Sequence, residues 1–231
     1  MSGHSKWSKV KHQKESVDAN RGKIFTKLGN AIYIAVKAGG GISDPAANFK
    51  LRLAIDRARS FNMPKENIQR SIDRALASGT GGSMESIVYE AIGLQGAGFI
   101  IDAVTDNKQR TVAELKNILD RRSCKLVGQG SVSHLFQLTG LIKVAKNNIS
   151  AEKILELAIE NGARDIKEEG EYYNIFTQPQ TLHKIKENLE KSGIGVVSSD
   201  LIYQPINPVS LTDNQTVKHI GDLIKILEDN D

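Results

Sequence analysis

The chain has 231 residues, 39% of them hydrophobic and 25% charged, a balance that excludes disorder as the main state and predicts one to three small domains. A single cysteine, Cys124, excludes an internal disulfide framework and a CxxC metal site, and points to a reducing compartment. The formal net charge of +4 hides an asymmetry: residues 1–75 hold 15 Lys and Arg against 6 Asp and Glu, residues 76–231 hold 16 against 21, and a polyanion partner is expected for the first third.

Residues 1–20 read as a basic arm. Lys6, Lys9, Lys11 and Lys14 recur every two or three residues around His4, Trp7 and His12, with too few apolar residues to bury, which predicts mobility in the free protein. Residues 1–30 contain no apolar leader core, and the longest apolar run, Ala31 to Val36, is far short of the ~20 residues that span a bilayer. A cytoplasmic protein with no membrane partner is expected.

A helix is predicted from Ala19 to Lys37. Ile24, Phe25, Leu28, Ala31, Ile32, Ala35 and Val36 keep one apolar stripe, and Lys23 and Lys27 lie one turn apart beside it. Gly39-Gly40-Gly41 stops this helix; following a helix rather than a strand, it reads as a cap and hinge and not as a phosphate loop. A second helix is predicted from Asp44-Pro45, with Asp44 as N-cap and Leu51, Ala54, Ile55 and Ala58 inward. Lys50 and Arg57 flank one side of that stripe, Arg52 and Arg59 the other. Pro64 opens a third helix, with Arg70 and Arg74 one turn apart on it, and Gly79-Thr80-Gly81-Gly82-Ser83 reads as a linker.

Beyond the linker the period changes to that of strands. Ser86 to Leu94 and Phe99 to Thr105 are predicted as partners around Gln95-Gly96-Ala97-Gly98, followed by a helix capped at Asp106-Asn107. Strands at Gly140–Val144, Ala163–Glu168, Tyr172–Thr177 and Gly195–Tyr203 alternate with helices from Ser150 to Glu160 and Pro179 to Lys191. That βαββαβ order is the ferredoxin-like split unit. A last helix is predicted over about Asp213 to Glu228. The fold class is α+β.

No catalytic constellation assembles. The histidines, His4, His12, His134, His183 and His219, have no spacing that sets two ligands on one helical face. Cys124 follows Arg121-Arg122 with no histidine nearby in sequence, and reads as a packing residue rather than a nucleophile. Glu168-Glu169-Gly170-Glu171 lacks calcium-loop spacing and reads as a solvated turn. No Walker A, GxSxG or dinucleotide fingerprint is present. The basic arm and helices remain. Their Lys and Arg suit phosphate neutralisation, and Trp7 is suited equally to stacking on an unpaired base or to packing on the first domain. The turn between the second and third helices, Phe61 to Met63, is only loosely like a helix-turn-helix.

Gly3-His4-Ser5-Lys6-Trp7, Lys11-His12, the run Arg21 to Leu28, Asn48 to Ile55, Asn62-Met63-Pro64-Lys65, Tyr89-Glu90, Thr105-Asp106-Asn107, Arg110 to Glu114 and Gly130-Ser131-Val132 resemble the YebC/PmpR family over essentially the whole chain. The resemblance implies three domains: a helical N-terminal domain (1–78), an α/β domain made of two segments (79–133 and 207–231), and the ferredoxin-like domain inserted in it (134–206). The family usually continues past the last helix into a short closing strand. Here the sequence stops at Glu228-Asp229-Asn230-Asp231, which reads either as a truncation or as a member that lacks the strand, and in the second case an edge of the second domain is expected to be unpaired.

For function, the resemblance implies a non-enzymatic regulator without cofactor, metal or catalytic residue. Members are commonly described as probable transcriptional regulators that bind promoter DNA. Others, mitochondrial relatives among them, are described as translation factors acting at the ribosome on proline-rich nascent chains. With the motif at the very N-terminus, a bacterial cytoplasmic member is expected. The expected partners are promoter DNA or ribosomal RNA, with the transcription machinery or the ribosome behind them, and a monomer is expected. The residues expected to meet nucleic acid are Lys6, Trp7, Lys9, Lys11, Lys14, Arg21, Lys23, Lys27, Lys50, Arg52, Arg57 and Arg59.

Overall fold

The computed structural model describes residues 4–77, 84–146, 149–208 and 213–230, with side chains from residue 21 onward. It is mixed helix and sheet, and it divides into two compact units: Met1–Glu85 with Lys225–Asp231, and Ser86–Ile224. No helix among the described residues is long and apolar enough to cross a membrane.

The first unit is built on α1 (His4–Ala38), α2 (Phe49–Ser60) and α3 (Lys65–Ala77). Leu28, Ile32, Tyr33 and Val36 of α1, Leu51 and Ile55 of α2, and Ile68 and Ile72 of α3 close one core, with Met63 from the α2–α3 turn as a plug. Each such side chain contributes about 1.5–3 kcal/mol when fully buried.

Two expectations are corrected here. The helix expected from Ala19 starts at His4 instead, so α1 runs through the arm, where no helical period is readable. Residues 4–20 contain neither Gly nor Pro and include four Lys, a good helix former, so a helix nucleated by the buried stripe at 28–36 propagates through them at one hydrogen bond per residue. The second helix starts at Phe49 and not at Asp44-Pro45. Asp44 instead accepts from the Ala46 N–H at 2.8 Å in a local turn, and Asn48 is the N-cap, accepting from the Leu51 N–H at 3.1 Å. Asn48 wins because its Nδ2 also donates to the Ala35 and Ile42 carbonyls, both at 3.0 Å, which fixes the loop between the two helices.

The α2–α3 turn is set by backbone geometry. Asn62 takes φ 56°, a left-handed conformation that Asn tolerates better than most residues. The chain then returns a Met63 N–H to the Ala58 carbonyl at 3.0 Å and buries the Met63 side chain.

The second unit holds two antiparallel sheets. β1 (Glu85–Ile92), β2 (Gly98–Thr105) and β3 (Lys125–Val127) lie in the order β2-β1-β3, with α4 (Lys108–Asp120) between β2 and β3 in sequence. Asn107 caps α4 by accepting from the Arg110 N–H at 3.1 Å, as its spacing predicts. β3 was not predicted. Three residues carry no readable period, and its register against β1, Val127 opposite Glu90, supplies what the sequence lacks.

The second sheet is β4 (Phe136–Ala145), β5 (Asp165–Glu169), β6 (Tyr172–Thr177) and β7 (Val196–Pro205), in the order β5-β6-β4-β7. With α5 (Ala151–Glu160) and α6 (Leu182–Lys191) as the two crossovers, this is the ferredoxin-like arrangement expected. Ile142 pairs with Ile175, and Ile154, Leu182, Ile185 and Leu189 of the helices complete the core. Gly140 of β4 lies opposite Thr177; a Cβ there would sit 2.3 Å from the Thr177 Oγ1 and 3.0 Å from Leu182, so this central strand needs glycine to pass beneath α6. The last helix, α7 (Asn214–Asp229), belongs to the second unit through Ile224 and to the first from Lys225, and is capped by Asp213, whose carboxylate accepts from the Thr216 N–H at 2.9 Å.

Candidate nucleic-acid interface

Residues 21–77 carry 11 Lys and Arg against 4 Asp and Glu. The apolar stripes turn inward, so the cations are left outside: Arg21, Lys23 and Lys27 on α1, Lys50, Arg57 and Arg59 on α2, and Lys65, Arg70 and Arg74 on α3 are all exposed. This places part of the expected site on the solvent face of one compact unit. Lys6, Trp7, Lys9, Lys11 and Lys14 fall on the first turns of α1, and their side chains lie outside the described residues.

Several of these cations have partners. The Arg21 guanidinium lies 5.2 Å from the centre of the Phe25 ring, a cation–π contact. Lys23 donates its Nζ to the Asp229 carbonyl at 3.3 Å, and Lys27 donates to the Glu228 carbonyl, at the C-terminal end of α7. Arg52 is half-buried and points back into its own unit, giving Nε to the Pro45 carbonyl at 2.8 Å and a terminal nitrogen to the Ala46 carbonyl at 2.7 Å. Its fork braces the α1–α2 loop. Arg59 reaches Asp56 at 3.8 Å, a long contact from an exposed guanidinium to a partly buried carboxylate.

Sequence reasoning left Lys65, Arg70 and Arg74 out of the expected site. The one-turn spacing of Arg70 and Arg74 was the available signal, and the structure adds the neighbours of Arg74. Its guanidinium lies 5.2 Å from the Tyr33 ring and donates to the Asn30 Oδ1 at 2.8 Å, while Lys37 approaches the same ring to 5.9 Å. The buried Tyr33 ring thus anchors two cations between α1 and α3.

The second unit holds the titratable groups with the clearest surroundings. Glu90, 3% exposed, accepts from the Gly130 N–H at 2.7 Å, the Val132 N–H at 2.6 Å and the Ser133 N–H at 3.1 Å. The backbone donors at Val132 and Gly130 hold its carboxyl below the usual carboxylate range. Glu90, Val88 and Ile100 of the first sheet, Gln129, Gly130 and Ser133 of the following loop, and Tyr203 of β7 line an open groove of about 490 Å³. Both carboxylate oxygens are occupied by backbone donors, so Glu90 holds a loop in place and has no proton to give as a general acid. Burial pushes the Cys124 thiol up, away from the thiolate a nucleophile needs. His219 sets its Nε2 2.9 Å from the Arg122 carbonyl, and His183 lies 3.2 Å from Glu187. Among the described residues, no group of three or more His, Cys, Asp or Glu is placed to hold a metal ion.

Comparison with known proteins agrees along the length of the chain. Residues 5–78 match the model of the TACO1/YebC protein N-terminal domain, and residues 84–231 match that of the TACO1/YebC second and third domain. A "probable transcriptional regulatory protein" of Persephonella marina is 42% identical over 232 residues, covering 100% of this chain and 92% of the relative. One of Aquifex aeolicus with the same description is 38% identical over 231 residues, again with 100% and 92% covered. The crystal structure of a conserved hypothetical protein from Aquifex aeolicus superposes with a TM-score of 0.84 at 36% identity, covering 93% of this chain and 87% of that one.

Proposed function

We propose a non-enzymatic role for this chain, which belongs to the TACO1/YebC family: it binds nucleic acid through its first unit and acts in the cytoplasm as a regulator of transcription. The observation that carries this reading is the excess of exposed Lys and Arg on three helices of one unit, against an acidic remainder. Such a surface neutralises backbone phosphates and releases counterions. The exposed Lys and Arg among residues 21–77 face solvent from three helices rather than from one groove-reading helix, which fits recognition of shape and charge more than a base code. The names of the relatives, probable transcriptional regulatory proteins, support promoter DNA as the nucleic acid. The three-domain division at residues 79, 134 and 207 belongs to the same proposal and is supported by the two separate sheets, 85–127 and 136–205.

The test is a binding titration against a mixed-sequence DNA duplex and an RNA hairpin at several salt concentrations. Tight duplex binding with a steep salt dependence supports the reading. RNA binding that survives salt while duplex binding collapses would transfer the role to RNA at the ribosome, and failure to bind either at low salt would end it.

A further inference from the structure

We propose that the last turn of α7 occupies, as an internal anion, the place of a nucleic-acid phosphate at Lys23 and Lys27. The inference rests on the binding role proposed above. It concerns the first unit alone, to which Lys225–Asp231 belong.

Lys23 and Lys27 stand one turn apart on α1 and are both exposed. Their ammonium groups converge on consecutive carbonyls, Lys23 on Asp229 and Lys27 on Glu228. These carbonyls lie in the last turn of α7, where backbone acceptors have no partner within the helix. Aligned peptide dipoles place about half a negative charge at that end. Glu228 and Asp229, both exposed, add two carboxylates to the same turn. Two lysines closing on oxygen acceptors at a focus of negative charge is the arrangement a phosphodiester would meet.

The contacts are solvent-exposed and therefore exchangeable. A phosphate that displaces the α7 turn gains two ammonium donors but must first overcome the turn's own charge. Binding at α1 is thereby weakened, and charge-driven attachment to arbitrary nucleic acid is weakened most, since it has no further contacts to offset the displacement.

The experiment compares full-length Glu228→Gln/Asp229→Asn with the parent and with Glu152→Gln/Glu160→Gln, which removes the same charge from exposed positions on α5. Each is titrated with the DNA duplex and the RNA hairpin. The proposal expects the α7 variant to bind about three-fold or more tightly than the parent and the α5 variant to change by less than about two-fold. Adding Lys23→Ala/Lys27→Ala to the α7 variant should erase the gain. In hydrogen exchange, nucleic acid should speed exchange of the amides at 225–229 in the parent. Equal gains in the two carboxylate variants would reduce the effect to net charge and overturn the proposal. So would no gain, together with unchanged exchange, which would leave the turn a capped helix end. If the parent binds and these signs are missing, only this inference fails; if no form binds at low salt, the binding role fails with it.

Discussion

Asn48 donates its Nδ2 to the Ala35 carbonyl at 3.0 Å, from a side chain whose Oδ1 caps α2 at Leu51. One buried amide thus ends the α1–α2 loop and starts the next helix. Asn48→Ala removes a cap and leaves buried acceptors unpaired, which together cost about 2–4 kcal/mol. Thermal or urea unfolding of the variant should show that loss, whereas Asp44→Ala, which breaks only an exposed local turn, should cost under about 1 kcal/mol. Equal losses would restore Asp44 as the cap.

Gly39 meets the same side chain. A Cβ at this position would lie 2.3 Å from the Asn48 Nδ2 and 3.2 Å from the Ala35 carbonyl oxygen. Asn48 is tied by three hydrogen bonds and cannot swing aside freely. Gly39→Ala should therefore cost about 1–3 kcal/mol, although alanine is the better helix former. A stabilised variant in an unfolding titration would contradict the packing described.

Glu90 makes the stability of the second unit depend on pH. Its carboxyl titrates below the ordinary value of 4.5 because backbone N–H groups favour the charged form. A depressed folded-state value means the stabilisation is present in full above 4.5 and is lost as the pH falls through the lower folded-state value. Glu90→Gln, which keeps the shape and removes the charge, should lower the melting temperature at pH 7 and flatten the acid limb of the stability curve below about pH 5. Parallel acid limbs for parent and variant would exclude Glu90 as a contributor.

Cys124 is 1% exposed, its thiol is pushed up by burial, and its Sγ lies 3.3 Å from the Arg122 carbonyl oxygen. Alkylation at neutral pH should be slow in the native protein and fast in denaturant, with the native rate tracking local opening. Rapid native labelling would show a thiolate that these surroundings do not provide.

Much of this was legible in the sequence because it rests on local chemistry. Asn107 and Ser150 announce their helices through side chains that cap three residues on, and Tyr172–Thr177 is a strand whose bounds the β-branched and aromatic run already marks. What was not legible depends on distant partners. Glu90 finds its donors 40 to 43 residues away, and Lys23 and Lys27 reach carbonyls 206 and 201 residues away. Arg52 was grouped with surface cations because its flank of α2 faces outward by period alone; only the folded loop brings the Pro45 and Ala46 carbonyls within its reach. The helical arm was not legible because its sequence has no apolar stripe of its own and extends a helix nucleated elsewhere.

The exposed cations give a direct expectation for binding. Lys50→Ala with Arg57→Ala should weaken duplex binding without changing sequence preference, and reduce the logarithmic salt slope by up to about 1.8, or ~0.9 for each phosphate left without its cation. Lys6, Lys9 and Lys11 changed together to Glu should weaken binding across sequences in the same uniform way. An unchanged slope in both variants would place the binding surface elsewhere.

The measurement that bears most directly on the proposed role is ultraviolet crosslinking in growing cells, followed by sequencing of both the DNA and the RNA recovered with the protein. A transcriptional regulator should recover a few discrete promoter fragments, with RNA no higher than in a control that lacks the protein. Discrete sites in ribosomal RNA, with no promoter enriched, would contradict it.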